Sequence, residues 1–177
     1  MNAPNTTPSP TTATPATPHT VQAVDTRTAF HAALLQTLQG AVARSARQLW
    51  LADRDFVEWP LDDPAWLDAL TVFVRAPQRR LTLIGERFDV LRLHRPRFVE
   101  WRRTWAHAVH SWTPEPGAPA VPTLLVDDGP LILRLQDGER WRGWVGRDPH
   151  EARRARDELE ALLQRSEAAF PVTTLGL

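Results

Sequence analysis

The stretch that decides the fold is residues 122–145, PTLLVDDGPLILRLQDGERWRGWV. Three short apolar segments alternate there with two Asp-Gly pairs, in the order Pro122–Val126, Asp128-Gly129, Leu131–Leu135, Asp137-Gly138 and Arg140–Val145. An Asp-Gly pair between apolar runs is a strong signal of a tight hairpin. The sequence therefore predicts a three-stranded antiparallel meander in this part of the chain.

A closing helix is predicted directly after the meander, from residue 148 to about residue 168. Asp148 is a favourable N-cap, Pro149 suits the first helical position, and Glu151 supplies an acid in the first turn. Apolar residues then recur at helical spacing along one face. Pro171 prevents the helix from continuing.

Helices and strands alternate upstream of the meander. Apolar residues spaced four apart predict a first helix over about residues 26–45, and Asp63-Pro64 opens a second helix that ends before Pro77. A third helix is predicted from Pro96 through Trp112, on the spacing of its aromatic residues. Two short apolar runs read as buried strands, Gln48–Ala52 and Arg80–Gly85.

This order predicts an α/β or α+β fold with a mixed sheet of about five strands and helices packed on it. Residues 25–177 are expected to form a single globular domain. Residues 1–24 read as a disordered tail, since the first twenty contain Pro and Thr but no Asp, Glu or Arg. No basic and apolar signal peptide precedes the domain, and no apolar run approaches about 18 residues. We therefore expect a cytoplasmic protein without a membrane span.

The composition excludes several kinds of chemistry. The 177 residues include 21 basic side chains, all of them Arg, and no Cys. Thiol catalysis, Cys-based metal sites, Schiff-base lysines and P-loop lysines are therefore impossible. The formal net charge is zero, which makes nucleic acid an unlikely partner on bulk charge alone. No metal or cofactor motif is present, so none is expected.

Positive charge is concentrated in the middle of the chain. Residues 77–126 contain eight Arg and four acids, a net charge of +4. Such a segment could hold a phosphate, an acidic protein segment or single-stranded nucleic acid. It could equally be a solvated helix face. The candidate residues for binding an anion or a partner are His94, Arg97, Arg102, Arg103 and His107.

Residues Pro122–Gly129 resemble the stretch before the hairpin of the phospholipase D-like superfamily, whose motif is H-x-K-x4-D. The chain is also similar to a small uncharacterised proteobacterial domain family that shares this core, through His94–Arg103 and the capped helix at 148–168. The resemblance covers about residues 26–177. It implies a phospholipase D-like half that would dimerise.

The catalytic residues of that superfamily are missing from this chain. With the motif Asp at Asp127, the His and Lys positions fall on Ala120 and Pro122; the alternative register gives Val121 and Thr123. The phosphohistidine chemistry therefore cannot be carried over, and the active site would be degenerate.

The first hypothesis is thus a non-catalytic binding or interaction module, for which exposed tryptophans among Trp50, Trp112, Trp141 and Trp144 would be the mark. The second is an enzyme or binding protein for a phosphorylated or acidic ligand, with His94 or His107 as general acid or base. The third is a nucleic-acid-binding protein that acts through residues 79–103.

Overall fold

A computed structural model describes residues 21–171. The strands of this part are β1 Val21–Val24, β2 Gln48–Asp53, β3 Arg80–Gly85, β4 Val109–Pro114, β5 Thr123–Asp127, β6 Leu131–Asp137, β7 Arg142–Arg147 and β8 Ser166–Ala168. The helices are α1 Arg27–Ala43, α2 Pro64–Arg75, α3 Asp89–His94, α4 Pro96–Thr104 and α5 Pro149–Leu163. The predicted tail lies outside the described residues up to residue 20.

The eight strands form one mixed sheet in the order β1-β7-β6-β5-β2-β3-β4-β8. Strands β2, β3 and β4 run parallel to one another, and every other neighbouring pair is antiparallel. Strands β5, β6 and β7 are the meander that the two Asp-Gly pairs predict. The mixed sheet with packed helices is therefore confirmed, although it has eight strands rather than about five.

Two apolar layers lie on opposite faces of this sheet. Leu49 and Leu51 of β2 point into the larger layer, which includes the buried faces of α1 and α2. Trp50 and Ala52 of the same strand point into the smaller layer, which α5 covers. This alternation follows from the two-residue side-chain period of a strand. Both faces of β2 are buried, which explains its continuous apolar sequence.

The two edges of the sheet come from residues that the sequence analysis placed elsewhere. β1, which was assigned to the end of the tail, pairs with β7 from Val21↔Gly146 to Val24↔Gly143. β8, which was assigned to the closing helix, pairs with β4. α5 ends at Leu163, five residues before the predicted end. Both edge strands are three or four residues long, and segments this short carry little periodic signal.

The predicted third helix is also shorter than its aromatic spacing suggests. It ends at Thr104, and the residues that follow form β4, with a turn between the two. The same residues satisfy a two-residue period, because Val109 and Ser111 are buried on one face while His110 and Trp112 line a groove on the other. Parallel pairing with β3 decides between the two periods.

Candidate nucleic-acid interface

The beginning of the parallel strands is rich in arginine. β2 and β3 begin side by side, with Gln48 opposite Arg80, and the antiparallel β5 ends at the same edge. Five arginines are placed at this edge, by the starts of the two strands and by the ends of α1 and α2. We call them the basic edge: Arg44, Arg47, Arg75, Arg79 and Arg80.

The arginines of the basic edge have few acidic partners. Within residues 21–171, only Arg44 among the five makes an ion pair, with Asp127 at 3.2 Å. The backbone N–H of Arg47 donates to the carboxylate of Asp128, and the N–H of Arg80 donates to the carbonyl of Arg47. These bonds fix the backbone and leave the guanidinium groups of Arg47 and Arg80 at the surface.

Arg79 differs from its neighbours because its side chain lies against the apolar core. Its guanidinium carbon is 5.7 Å from the ring centre of Phe73, and the residue is half-buried. One terminal nitrogen is buried without a hydrogen-bond partner in the described part of the chain. Arg79 therefore adds positive charge to this edge from a fixed position.

The acids at the opposite end of the strands are held by internal bonds. Asp53, the last residue of β2, accepts hydrogen bonds from the Phe56 N–H at 2.6 Å and from the hydroxyl of Thr123. Asp55 pairs with Arg54 at 3.1 Å and with Arg87 at 2.9 Å. These partners account for both carboxylates, so the carboxyl end of β2 is a structured acidic turn.

The pKa of Asp55 reflects this arrangement. Burial alone would raise the pKa, but the hydrogen bonds from the Val57 N–H and from Arg87 and Arg54 outweigh it, so the pKa lies below its ordinary value. Asp55 therefore carries a negative charge at neutral pH and neutralises one of its two arginine partners.

An open groove of about 310 Å³ lies between α5 and the sheet and adjoins the basic edge. Its lining includes the two tryptophans Trp50 and Trp112, together with Arg80, His110 and Glu160. Burial first, and then the charges of Arg80 and Arg102, lower the pKa of His110, which is therefore neutral at pH 7. Trp112 is half-buried and Trp50 is buried, so the exposed aromatic surface is small.

Trp141 and Trp144 do not join these two tryptophans. Trp141 packs on the other face of the sheet, with its ring centre 5.8 Å from that of Phe30. Trp144 contacts the layer beneath α5 and is half-buried. The four tryptophans that the sequence analysis singled out are thus distributed over both faces.

The structure separates the five predicted binding residues. His94, Arg97, Arg103 and His107 are exposed, whereas Arg102 is 6% exposed and points inward. Arg103 pairs with Glu100 of its own helix at 3.2 Å. The ring of His107 lies 5.9 Å from that of Trp105. Anion binding by these five residues stays a prediction. Arg102 differs from the other four because it is buried.

Arg102 is a buried guanidinium beside β4. Its Nε donates to the hydroxyl of Ser111 at 3.2 Å, and its guanidinium carbon lies 4.5 Å from the ring centre of Phe170. The guanidinium of Arg92 lies 5.3 Å from the same ring centre. Burial and the charge of Arg92 lower the pKa of Arg102 to about 10. It remains protonated at neutral pH.

His107 and His110 do not converge as a metal site would require. His107 lies in the turn after α4, and His110 is in β4. No group of three metal-ligating side chains occurs within residues 21–171. Across the same residues, no helix is long and apolar enough to cross a membrane.

Comparison with solved structures gives a likeness of fold. TrmBL2, an archaeal chromatin protein whose structure is described as showing a novel mode of DNA binding, superposes with a TM-score of 0.59 at 13% sequence identity. The match covers 89% of this chain and 56% of that protein. No protein-family model and no curated protein sequence matches the chain.

The predicted membership of a phospholipase D-like family is wrong, since the likeness found is to a chromatin protein and no family model matches. The DDG stretch that suggested it has a structural role. Oδ1 of Asp127 accepts hydrogen bonds from the N–H groups of Gly129 and Leu131, both at 2.9 Å. A catalytic residue would need free access to substrate, and Asp127 has no exposed surface.

The expectation that nucleic acid is an unlikely partner is also corrected, because the similar solved structure is a DNA-binding protein. The net charge is a sum over the whole molecule, whereas five arginines gather at one edge of the sheet.

Sequence reasoning missed the residues that surround Arg102. Ser111 falls within the segment predicted as the third helix, and Phe170 precedes Pro171 without any periodic pattern. Arg47 and Arg75 lie outside the Arg-rich segment; the pairing of β2 with β3 and the end of α2 place them at the same edge as Arg80. The available signal was that α2 ends with Arg75 and β3 begins with Arg80.

Proposed function

We propose that this domain binds DNA by contacting the phosphate backbone through its basic edge. The proposal takes up the nucleic-acid alternative of the sequence analysis. It is supported by the likeness of fold to a DNA-binding chromatin protein and by the arginines gathered at the basic edge. The matched region is 56% of that protein, so activities of its remaining part are not attributed to this chain.

The observation that carries the proposal is the group Arg47, Arg79 and Arg80. Arg44 and Arg75 are placed at helix carboxyl ends, where a cation is stabilised by the helix dipole. That explanation does not extend to the other three, which precede or begin strands. None of the three makes an ion pair within residues 21–171.

Phosphate contacts by arginine suit this arrangement. Guanidinium groups bind phosphate oxygens with two parallel hydrogen bonds. Contacts of this kind position a protein on a duplex but read no sequence. The expected binding is therefore independent of sequence and strongly dependent on salt.

The zero net charge of the chain is compatible with this role. A local potential, rather than the net charge, determines where a polyanion docks. At the basic edge Asp127 pairs with Arg44, and Asp128 accepts from the backbone N–H of Arg47, so neither carboxylate neutralises Arg75, Arg79 or Arg80 by an ion pair within residues 21–171. The acids at the opposite end of β2 are paired with Arg54 and Arg87.

The test compares two triple variants in binding a fluorescent DNA duplex of mixed sequence at low salt, followed by anisotropy. The first variant is Arg47→Gln/Arg75→Gln/Arg80→Gln, whose three side chains are exposed. We expect its affinity to fall on the order of tenfold or more, because each arginine releases condensed counterions when it binds a phosphate.

The control variant is Arg27→Gln/Arg140→Gln/Arg142→Gln. It removes the same charge from exposed positions outside the basic edge: Arg27 begins α1, whose other end carries Arg44, and Arg140 and Arg142 are at the opposite end of the strands. Its affinity should stay close to that of the unmodified protein. Equal losses in the two variants, or no DNA binding by the unmodified protein, would refute the proposal.

A further inference from the structure

The buried Arg102 has no counter-ion among residues 21–171. Its hydrogen bond to Ser111 has a neutral acceptor, and Phe170 offers only a ring face. No ion pair involving Arg102 occurs within residues 21–171. A buried charge without an opposite charge is costly, because desolvation is not offset by a Coulombic gain.

A second cation increases this cost. The guanidinium groups of Arg92 and Arg102 lie 5.3 Å and 4.5 Å from the centre of one ring, that of Phe170. Phe88 stacks on the same ring at 5.3 Å with an angle of 5° between the planes. Both guanidinium groups therefore lie against one ring, and the charge of Arg92 contributes to the lowered pKa of Arg102.

The guanidinium of Arg102 is nevertheless reachable from solvent. Its terminal nitrogens are not among the fully buried unpartnered atoms of the described residues, and Nε is its one nitrogen that donates to the protein there. Arg92 is exposed. The terminal N–H donors of Arg102 and the exposed guanidinium of Arg92 thus lie around one aromatic ring, and the hydroxyl group of Ser111 adjoins Nε of Arg102.

We propose that Arg102, Arg92 and the hydroxyl group of Ser111 form a binding site for a phosphate-type anion. No residue of the basic edge takes part, so the site goes beyond DNA binding. A tetrahedral phosphate accepts hydrogen bonds from several directions, and two guanidinium groups with one hydroxyl group match that demand. The ligand is a free phosphate or the phosphate group of a small phosphomonoester.

An anion bound here would also account for the buried positive charge of Arg102. The bound anion would neutralise the repulsion between Arg92 and Arg102. Binding of the anion to the folded state alone would then raise the stability of the domain in a saturable way.

The experiment measures thermal unfolding of the full chain in increasing inorganic phosphate, with sodium chloride replacing it at constant ionic strength. At phosphate well above Kd, we expect the Tm to rise by about 3 °C. Two variants should lose this saturable rise: Arg92→Gln, at an exposed position, and Arg102→Met, which removes the buried charge and keeps an apolar stem of similar length.

Arg142→Gln is the matched control, because Arg142 is an exposed arginine of β7, outside the proposed anion site. It should keep the full rise, which separates a specific site from the general stabilising effect of phosphate as a salt. If Arg102→Met fails to fold, the comparison of Arg92→Gln with Arg142→Gln decides the question.

The proposal is overturned if phosphate produces no saturable rise, or if Arg92→Gln responds as the unmodified protein does. A phosphomonoester such as glycerol 3-phosphate, tested in parallel, distinguishes the two sources of the phosphate group by its affinity. DNA binding by the basic-edge variants is a separate measurement. A negative result for phosphate binding would therefore leave the proposal of DNA binding untouched.

Discussion

Asp127 is the residue that ties the meander to the rest of the domain. It has no exposed surface, pairs with Arg44 of the α1 carboxyl end, and accepts two backbone N–H bonds from the following turn. Arg156 of α5 donates to the carbonyls of Asp127 and Gly129 at 2.7 and 2.8 Å. One turn is therefore fixed by α1 from one face of the sheet and by α5 from the other.

Replacing Asp127 tests this role. Asp127→Ala leaves two backbone N–H groups without their acceptor and Arg44 without its partner, so the free energy of unfolding should fall by about 2–4 kcal/mol. Asp127→Asn retains an acceptor oxygen and should cost less than half as much. Urea denaturation monitored by tryptophan fluorescence gives both values. Equal costs for Ala and Asn would contradict the hydrogen-bond account.

The pKa of Asp127 predicts how the stability of the domain depends on pH. Burial raises the pKa of Asp127, although the nearby Arg44 and two backbone N–H donors oppose that change. The folded state therefore binds this proton more tightly than the unfolded state, so the added stability is present at low pH and lost as pH rises through the raised pKa.

The stability of the unmodified protein relative to Asp127→Asn should accordingly increase as the pH falls from neutral toward 3.8, the ordinary value for this carboxyl. The Asn variant has no proton to bind there, and the other titrating groups are common to both proteins. Unfolding free energies measured at several pH values in this range give the difference. A difference that is constant or that changes in the opposite direction would contradict the assignment.

At the scale of the element, α5 shields the smaller apolar layer. Ala152, Ala155 and Leu159 are buried there against the sheet. Asp148 caps the helix by accepting from the N–H groups of His150 and Glu151 at 2.8 and 3.1 Å. Because α5 is the helix that packs on this face in the described chain, loss of its packing exposes apolar residues of several strands.

Leu159→Ala measures how much this packing contributes. Leu159 is fully buried, and the substitution should lower the free energy of unfolding by about 2–5 kcal/mol through lost burial and a residual cavity. Arg153→Ala on the solvent side of the same helix is the control. Its pair with Asp157 is exposed and 4.0 Å long, so about 0.5 kcal/mol or less is expected. Similar costs at the two positions would argue against α5 as a packed layer.

The elements differ in how readily the sequence predicts them. α2 and α5 carry both an Asp cap and a Pro in the first turn, and both were placed correctly at their start. β4 was read as helix because its aromatic residues fit either period, and its pairing with β3 is a tertiary contact. β8 is formed only because β4 offers it an edge. Local patterns do not contain that information.

The candidate site shows the same limit. The sequence identified Arg102 within an Arg-rich segment, but burial beside Ser111 and Phe170 depends on how α4 packs on β4. The basic edge joins Arg47 and Arg80, which are 33 positions apart in the chain and adjacent in the sheet. Charge counted along the sequence therefore did not identify the basic edge.

At the scale of the whole molecule, the beginning of the parallel strands is rich in arginine. Arginines gather where β2 and β3 begin, and the acid that pairs with Arg54 and Arg87 lies just after the end of β2. A chain with zero net charge can thus present a positive edge to a polyanion. This placement would orient the domain on DNA with the basic edge inward.

The most direct test of this account is the salt dependence of DNA affinity. For the unmodified protein, the logarithm of the binding constant should fall linearly with the logarithm of the salt concentration, by about 0.9 per phosphate contacted. Arg47→Gln/Arg75→Gln/Arg80→Gln should reduce that slope by about 3. An unchanged slope in this variant, or a salt-independent affinity of the unmodified protein, would show that the basic edge does not contact DNA.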